Sequence, residues 1–164
     1  METKTTYGYY GGKFFPMHKG HLYCIKKMAE MCDKGYIIVF TNGPDEKNYF
    51  QNHPKEFYLS IESRLAQVEK VCQMFPNLEY RIIDCSNLQK SDGTEDWDAE
   101  TPLVRKFLPH IDYVFSSEMR YDEYFRRAFP EAKHILVDTK REAIPISATK
   151  IREMNEEDRK KWMV

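Results

Sequence analysis

The chain has 164 residues and carries 25 Lys and Arg against 26 Asp and Glu, a formal net charge of −1. Hydrophobic residues make up 41% and charged residues 31%, which suits one globular domain with a core that needs no disulfide or structural metal. No global basic field marks the chain for nucleic acid or a membrane surface, no apolar run is long enough to span a bilayer, and any anion site must therefore be local.

In chain order, Tyr7 to Phe15 is the first strand candidate, and Leu22, Ile25, Met28, Ala29 and Cys32 then fall at helical spacing. Tyr36 to Phe40 is a continuous apolar run, as in a strand buried on both faces. Asn42-Gly43-Pro44 and His53-Pro54 mark a polar loop. Ile61, Leu65, Val68, Cys72 and Phe75 predict a helix that Pro76-Asn77 ends. Leu78 to Asp84 reads as a third strand, Cys85 to Asp96 as a loop, and Thr101 to Leu108 as a helix with Pro102 near its start. Ile111 to Phe115 reads as a fourth strand, Met119 to Phe129 as a helix, His134 to Asp138 as a fifth strand, and a last helix starts near Ser147. Five strands alternating with five helices predict a doubly wound, five-stranded parallel α/β sheet in a single domain over residues 1–164. Such sheets bind ligands at the carboxyl ends of their strands, where strand order reverses.

Cys24, Cys32, Cys72 and Cys85 form no C-x-x-C pair and read as reduced, buried thiols. Met1 to Thr6 lacks the apolar centre of a signal peptide. Both features give a cytoplasmic expectation.

Two short motifs carry the chemistry. His18-Lys19-Gly20-His21 sits between the first strand and the first helix, where unpaired N–H groups, Lys13 and Lys19 would attract phosphate. A P-loop is excluded, since Tyr7 stands where its first glycine belongs and Phe14 follows Lys13. Two histidines without a Cys or Glu partner make a weak zinc site, so no metal ligands are assigned. The bland alternative is a pair of solvent-facing histidines. The second motif, Ile146-Ser147-Ala148-Thr149-Lys150-Ile151-Arg152, opens the last helix with Ser147 as its N-cap. Alone it would be a capped surface helix; paired with the first motif it can grip the far end of a polyphosphate.

H-x-G-H followed late by I-S-x-T-x-x-R resembles the nucleotidyltransferase superfamily of pantetheine-phosphate, nicotinamide-nucleotide and glycerol-phosphate transferases. Gly12-Lys13-Phe14-Phe15-Pro16-Met17-His18-Lys19-Gly20-His21-Leu22-Tyr23 is similar to the G-K-F-Y-P-L-H-x-G-H-I-Y of the adenylyltransferase domain of bifunctional NAD-biosynthesis regulators. Ser60 to Leu65, Asp96-Trp97-Asp98, Ser116-Ser117-Glu118 and Val137-Asp138 resemble further segments of that domain, so the likeness runs from Gly11 to Glu153. The loops 41–58 and 85–100 match only in outline. No kinase domain follows and no helix-turn-helix precedes, so neither kinase activity nor DNA binding is expected.

The resemblance implies transfer of AMP from ATP, with Mg²⁺, to nicotinamide mononucleotide, giving NAD and pyrophosphate. It implies catalytic roles for His18, His21 and Lys13. Gly12, Phe14, Phe15, Ser116, Ser117, Glu118, Val137, Asp138, Ser147, Thr149 and Arg152 would bind the nucleotide, and Trp97 and Arg64 the acceptor. Trp97 either stacks on a cationic ring or plugs a loop, and Arg64 is otherwise a helix-surface ion pair. A polyol-phosphate cytidylyltransferase, a pantetheine-phosphate adenylyltransferase and a non-catalytic nucleotide sensor remain alternatives. A class I aminoacyl-tRNA synthetase does not, for want of tRNA domains and a K-M-S-K-S run. Neither nucleic acid nor membrane is expected as a partner, and a homo-oligomer is left open.

Overall fold

Five parallel strands form one sheet: β1 (Tyr7–Gly12), β2 (Lys34–Thr41), β3 (Leu78–Asp84), β4 (Tyr113–Ser116) and β5 (Lys133–Leu136). Their order is β3-β2-β1-β4-β5, each neighbour parallel to the next. The chain steps outward from β1 to β3 and then returns to the other side of β1. Strand order therefore reverses between β1 and β4, which opens a crevice at their carboxyl ends. The computed structural model describes residues 4–14, 16–52 and 61–164. Phe15, the His53-Pro54 turn and Ser60 lie outside the described residues.

Side chains alternate across the central strands and so build two cores. Tyr10, Ile37, Val39 and Phe115 face one, where Cys24, Ile25 and Met28 of α1 (Lys19–Met31) and Val68 and Val71 of α3 (Ile61–Gln73) cover them. Tyr9, Ile38, Ile83 and Val114 face the other, beneath Val104 of α4 (Trp97–Phe107) and the Tyr124–Phe125 edge of α5 (Asp122–Ala128). This is the doubly wound arrangement that the strand–helix alternation predicts. Gly8 is small because α1 crosses close: a Cβ there would lie 2.6 Å from Cys32 Sγ and 2.9 Å from Met28 Cγ. The carbonyls at the end of α1 are satisfied by Asn77 Nδ2, which donates to Ala29 and Cys32.

Several boundaries move. The loop after β2 contains a further helix, α2 (Pro44–Asn52). The helix α4 begins at Trp97, not Thr101, because Asp96 caps it by accepting from the Ala99 N–H at 3.1 Å. Pro102 consequently lies inside the helix, in its second turn, where it has no N–H to donate to the Asp98 carbonyl. Residues 119–121 form a 3₁₀ turn ahead of α5. The last helix is two: α6 (Ala148–Glu153) and α7 (Glu156–Lys160). Beyond α7 the chain returns to the H-x-G-H turn. Lys19 N–H donates to the Trp162 carbonyl at 2.8 Å, Val164 N–H to that of Met17 at 3.3 Å, and His18 and Met163 form an antiparallel bridge. No helix among the described residues is long and apolar enough to cross a membrane.

Candidate active site

A cleft of about 670 Å³ opens over the carboxyl ends of β1 and β4. The β1–α1 connection enters it first. His18 has extended backbone and is the N-cap of α1. Its Nδ1 accepts from the N–H of Gly20 at 3.0 Å and of His21 at 3.4 Å, while His21 Nδ1 accepts from the His18 N–H at 3.1 Å. This is a reciprocal capping box made of two imidazoles. Gly20 is required because the His18 ring lies over it: a Cβ would come within 2.8 Å of His18 Cε1.

The capping bonds settle which ring nitrogens carry protons. A nitrogen that accepts a backbone N–H bears no proton, so each neutral ring carries its hydrogen on Nε2. The neutral form is strongly favoured. Burial, then the nearby Arg141 guanidinium, lowers the His18 pKa to about 4. Burial, then His18 and Arg141, holds His21 well below the usual imidazole range. His18, Gly20 and His21 all line the cleft. The pair therefore offers it two fixed N–H donors at neutral pH. Phe14, buried and at φ 53°, packs edge-on against His21 with ring centroids 5.0 Å apart. A non-glycine residue held in the left-handed region is strain of the kind functional loops retain.

Ser116, Ser117 and Glu118 line the cleft from the end of β4. Asp122, His134 and Ser116 form a chain, with Nδ1 of His134 3.0 Å from Asp122 Oδ1 and its Nε2 2.5 Å from Ser116 Oγ. Ser116 Oγ also bonds the Glu118 backbone within its own turn, so the chain fixes the turn. Glu118 pairs with Arg120 and lies 3.8 Å from Arg141. Ser147 caps α6 by accepting from the Lys150 N–H at 3.2 Å, and Thr149 accepts from Arg152 Nη2 at 3.4 Å. Ser147, Thr149, Arg152, Gly12, Lys13, Phe14 and Trp97 all line the same cleft. Trp97 is half-buried; its indole N–H donates to Glu95 Oε2 at 3.0 Å and its ring meets Tyr121 and Tyr124 edge-on.

Three expected ligand residues do not reach the cleft. Arg64 is neither on the helix surface nor in the lining of the cleft. It is buried, ion-paired with Glu46, and donates to the Lys13 carbonyl at 3.2 Å. Glu46 in turn accepts from the Asn42 N–H at 2.6 Å, so the pair ties the loops after β1 and β2 to α3. Asp138 stands at φ 52° and spends both carboxylate oxygens on its own loop, accepting from Ala143 and Ile144 N–H at 2.9 Å each. Val137 is buried in the core instead.

Arg141, Glu95 and Glu100 also line the cleft, although no motif in the sequence marks them. Arg141 lines the cleft and braces its own loop, donating to the Ile146 carbonyl at 2.8 Å. Glu95 Oε1 lies 3.5 Å from Lys13 Nζ. Burial, then the Glu95 carboxylate, pushes Glu100 up to about 7. Cys85, Glu95 and Glu100 place donor atoms within 4.8 Å of one another. Burial, then Glu100, drives the Cys85 thiol far above its usual range, and Lys13 already supplies a cation. A protonated thiol beside an ammonium does not suit magnesium.

A comparison with known families decides the class. Residues 9–154 match the model described as cytidylyltransferase-like. The chain belongs to that family. This places it in the nucleotidyltransferase superfamily that its two motifs resemble. Over 156 residues it is 25% identical to the trifunctional NAD biosynthesis/regulator protein NadR of Escherichia coli K12, covering 92% of this chain and 37% of the regulator. Over 121 residues it is 33% identical to a phosphopantetheine adenylyltransferase of Clostridium botulinum strain Hall, covering 65% of this chain and 68% of that enzyme. A crystal structure of NadR in complex with NAD and AMP-PNP superposes with a TM-score of 0.67 at 21% identity, over 98% of this chain and 45% of the other. The chain thus spans less than half the length of the regulator it matches.

Proposed function

We propose that the protein transfers AMP from ATP to nicotinamide mononucleotide, forming NAD and releasing pyrophosphate. One observation carries this reading: the neutral histidine pair and Trp97 line a single cleft at the reversal point of the sheet. The likeness to NadR, over nearly the whole of this chain, supports the acceptor.

In this reading an oxygen of the acceptor phosphate attacks the α-phosphorus of ATP. The bond from that phosphorus to the bridging oxygen breaks, and pyrophosphate leaves. The acceptor phosphate is already ionised at neutral pH, so no general base is needed. Catalysis rests on positioning and on stabilising negative charge. The two Nε2–H groups of His18 and His21 donate to the α-phosphate and its bridging oxygen. Lys13 and Arg152 hold phosphates, aided by Ser147 and Thr149, and Arg141 adds a cation beside the histidines. Ser116, Ser117 and Glu118 meet the ribose and adenine. Trp97 stacks on the cationic nicotinamide ring. Magnesium bound to the ATP phosphates would offset their charge, and no ligand from the described residues is assigned to it.

The test is pyrophosphate release from ATP or CTP with a panel of acceptors. Release with ATP and nicotinamide mononucleotide is expected. The 33% identity to a phosphopantetheine adenylyltransferase makes phosphopantetheine the second acceptor to include. Turnover with phosphopantetheine or a polyol phosphate in its place would refute the nicotinamide reading, and ATP binding without release from any acceptor would mark a sensor.

A further inference from the structure

We infer that Glu95 and Glu100 make the acceptor end of the cleft selective for a neutral carboxamide over a carboxylate, so that nicotinamide mononucleotide is taken and nicotinate mononucleotide refused. The inference rests on the acceptor proposed above. It starts from where these residues stand. Glu95, Trp97 and Glu100 enter the cleft from the end of the β3–α4 loop and the first turn of α4, whereas the histidines enter from α1 on the opposite face of the sheet. One end of the cleft thus holds the histidines, and the other is walled by Trp97, Tyr121 and Tyr124 with the Glu95 and Glu100 carboxyl groups and the Lys13 ammonium among them.

The second observation is an unmet acceptor. The Glu95 side chain is 8% exposed; its Oε2 accepts from the Trp97 indole, and its buried Oε1 takes no hydrogen bond among the described residues and is ion-paired with Lys13. The Lys13 ammonium 3.5 Å away supplies charge but no hydrogen bond to that oxygen. Also near the two carboxyl groups are the Cys85 thiol, 3.3 Å from Glu100 Oε1, Asp96, and the Tyr9 and Tyr124 side chains. A flat ring seated on Trp97 would bring its substituent to these oxygens. A carboxamide brings two N–H donors and completes the Glu95 valence. A carboxylate brings no donor and a second negative charge. Sites built to bond a substrate N–H reject the analogue lacking it far more strongly than apolar pockets reject a change of size.

The experiment compares kcat/KM for the two mononucleotides in the wild-type protein, in Glu95→Gln, in Glu100→Gln and in the double variant. Glutamine keeps the shape and can still accept from Trp97. The wild type should prefer the amide by at least about 100-fold, and the double variant should lose at least tenfold of that ratio, chiefly through better use of the nicotinate form. A ratio within twofold of wild type in the double variant overturns the inference while leaving the acceptor reading intact. A wild type that uses both mononucleotides equally overturns it too. No pyrophosphate release from either by the wild type overturns the acceptor reading and the inference with it. Circular dichroism and a thermal melt show that the variants are folded.

Discussion

His18 and His21 stack with ring centroids 3.7 Å apart, and each accepts the backbone N–H of the other through Nδ1. Helix capping and proton placement are thereby one arrangement. The bonds that close the first turn of α1 also leave the proton of each ring on Nε2, in two residues that line the cleft.

That coupling can be separated by substitution. His18→Ala removes both roles and should lower kcat by about 100- to 1,000-fold, with about 1 kcal/mol lost from the helix cap. His18→Asn restores a capping oxygen without the Nε2–H. It should recover the stability in a thermal melt and leave pyrophosphate release low. Normal turnover by either variant would contradict the donor role.

Gly20→Ala tests the seat of the ring. The added methyl would meet the His18 ring at 2.8 Å and push it off the cap. A fall in kcat of tenfold or more is expected, with KM for ATP changed less, since the fault lies in donor geometry more than in binding.

Arg64→Ala should be among the most damaging single changes for stability, because it leaves Glu46 charged and buried. Breaking a buried pair in this way costs about 3–5 kcal/mol. Urea unfolding would read the loss, and Arg64→Met with Glu46→Leu should recover much of it. A surface ion pair would give a change under about 1 kcal/mol.

Stability should depend on pH in two opposed ways. His18 has its folded pKa lowered from 6.5 to about 4, so the unfolded chain takes up a proton first as pH falls. That contribution is fully present above 6.5 and is lost as pH falls from 6.5 toward about 4. Glu100 has its folded pKa raised from 4.5 to about 7, so the unfolded chain gives up a proton first as pH rises. Its neutral form costs nothing below 4.5, and stability is lost as pH rises from 4.5 to about 7. Each shift corresponds to about 3 kcal/mol. Melts from pH 4 to 8 should show a flatter acid limb in His18→Asn and a gain above pH 7 in Glu100→Gln.

The two motifs and the five strands were legible because they follow local rules. Tyr36 to Phe40 had to be a buried strand, and a capping residue ahead of an apolar period had to start a helix at Ser147. Arg64 was not legible, since an arginine on an amphipathic helix reads as solvent-facing until its partner is known, and Glu46 comes from a helix that the polar loop concealed. Asp138 looked like a ligand residue because nothing in the sequence shows that its oxygens close the 138–144 loop. Glu95 and Glu100 are two acids in an acidic stretch, and only the approach of Lys13, Trp97 and Cys85 from distant segments distinguishes them.

The segment 162–164 bears on how the molecule is made. It pairs with Met17 to Lys19, so the turn that carries His18 is braced by residues synthesised long after it. A nascent chain displays both histidines early, yet the backbone partner of that turn leaves the ribosome only after every strand of the sheet. The turn that carries His18 is therefore braced only after the sheet is synthesised, and a stop between α6 and residue 162 yields a chain with a complete sheet and an unbraced motif.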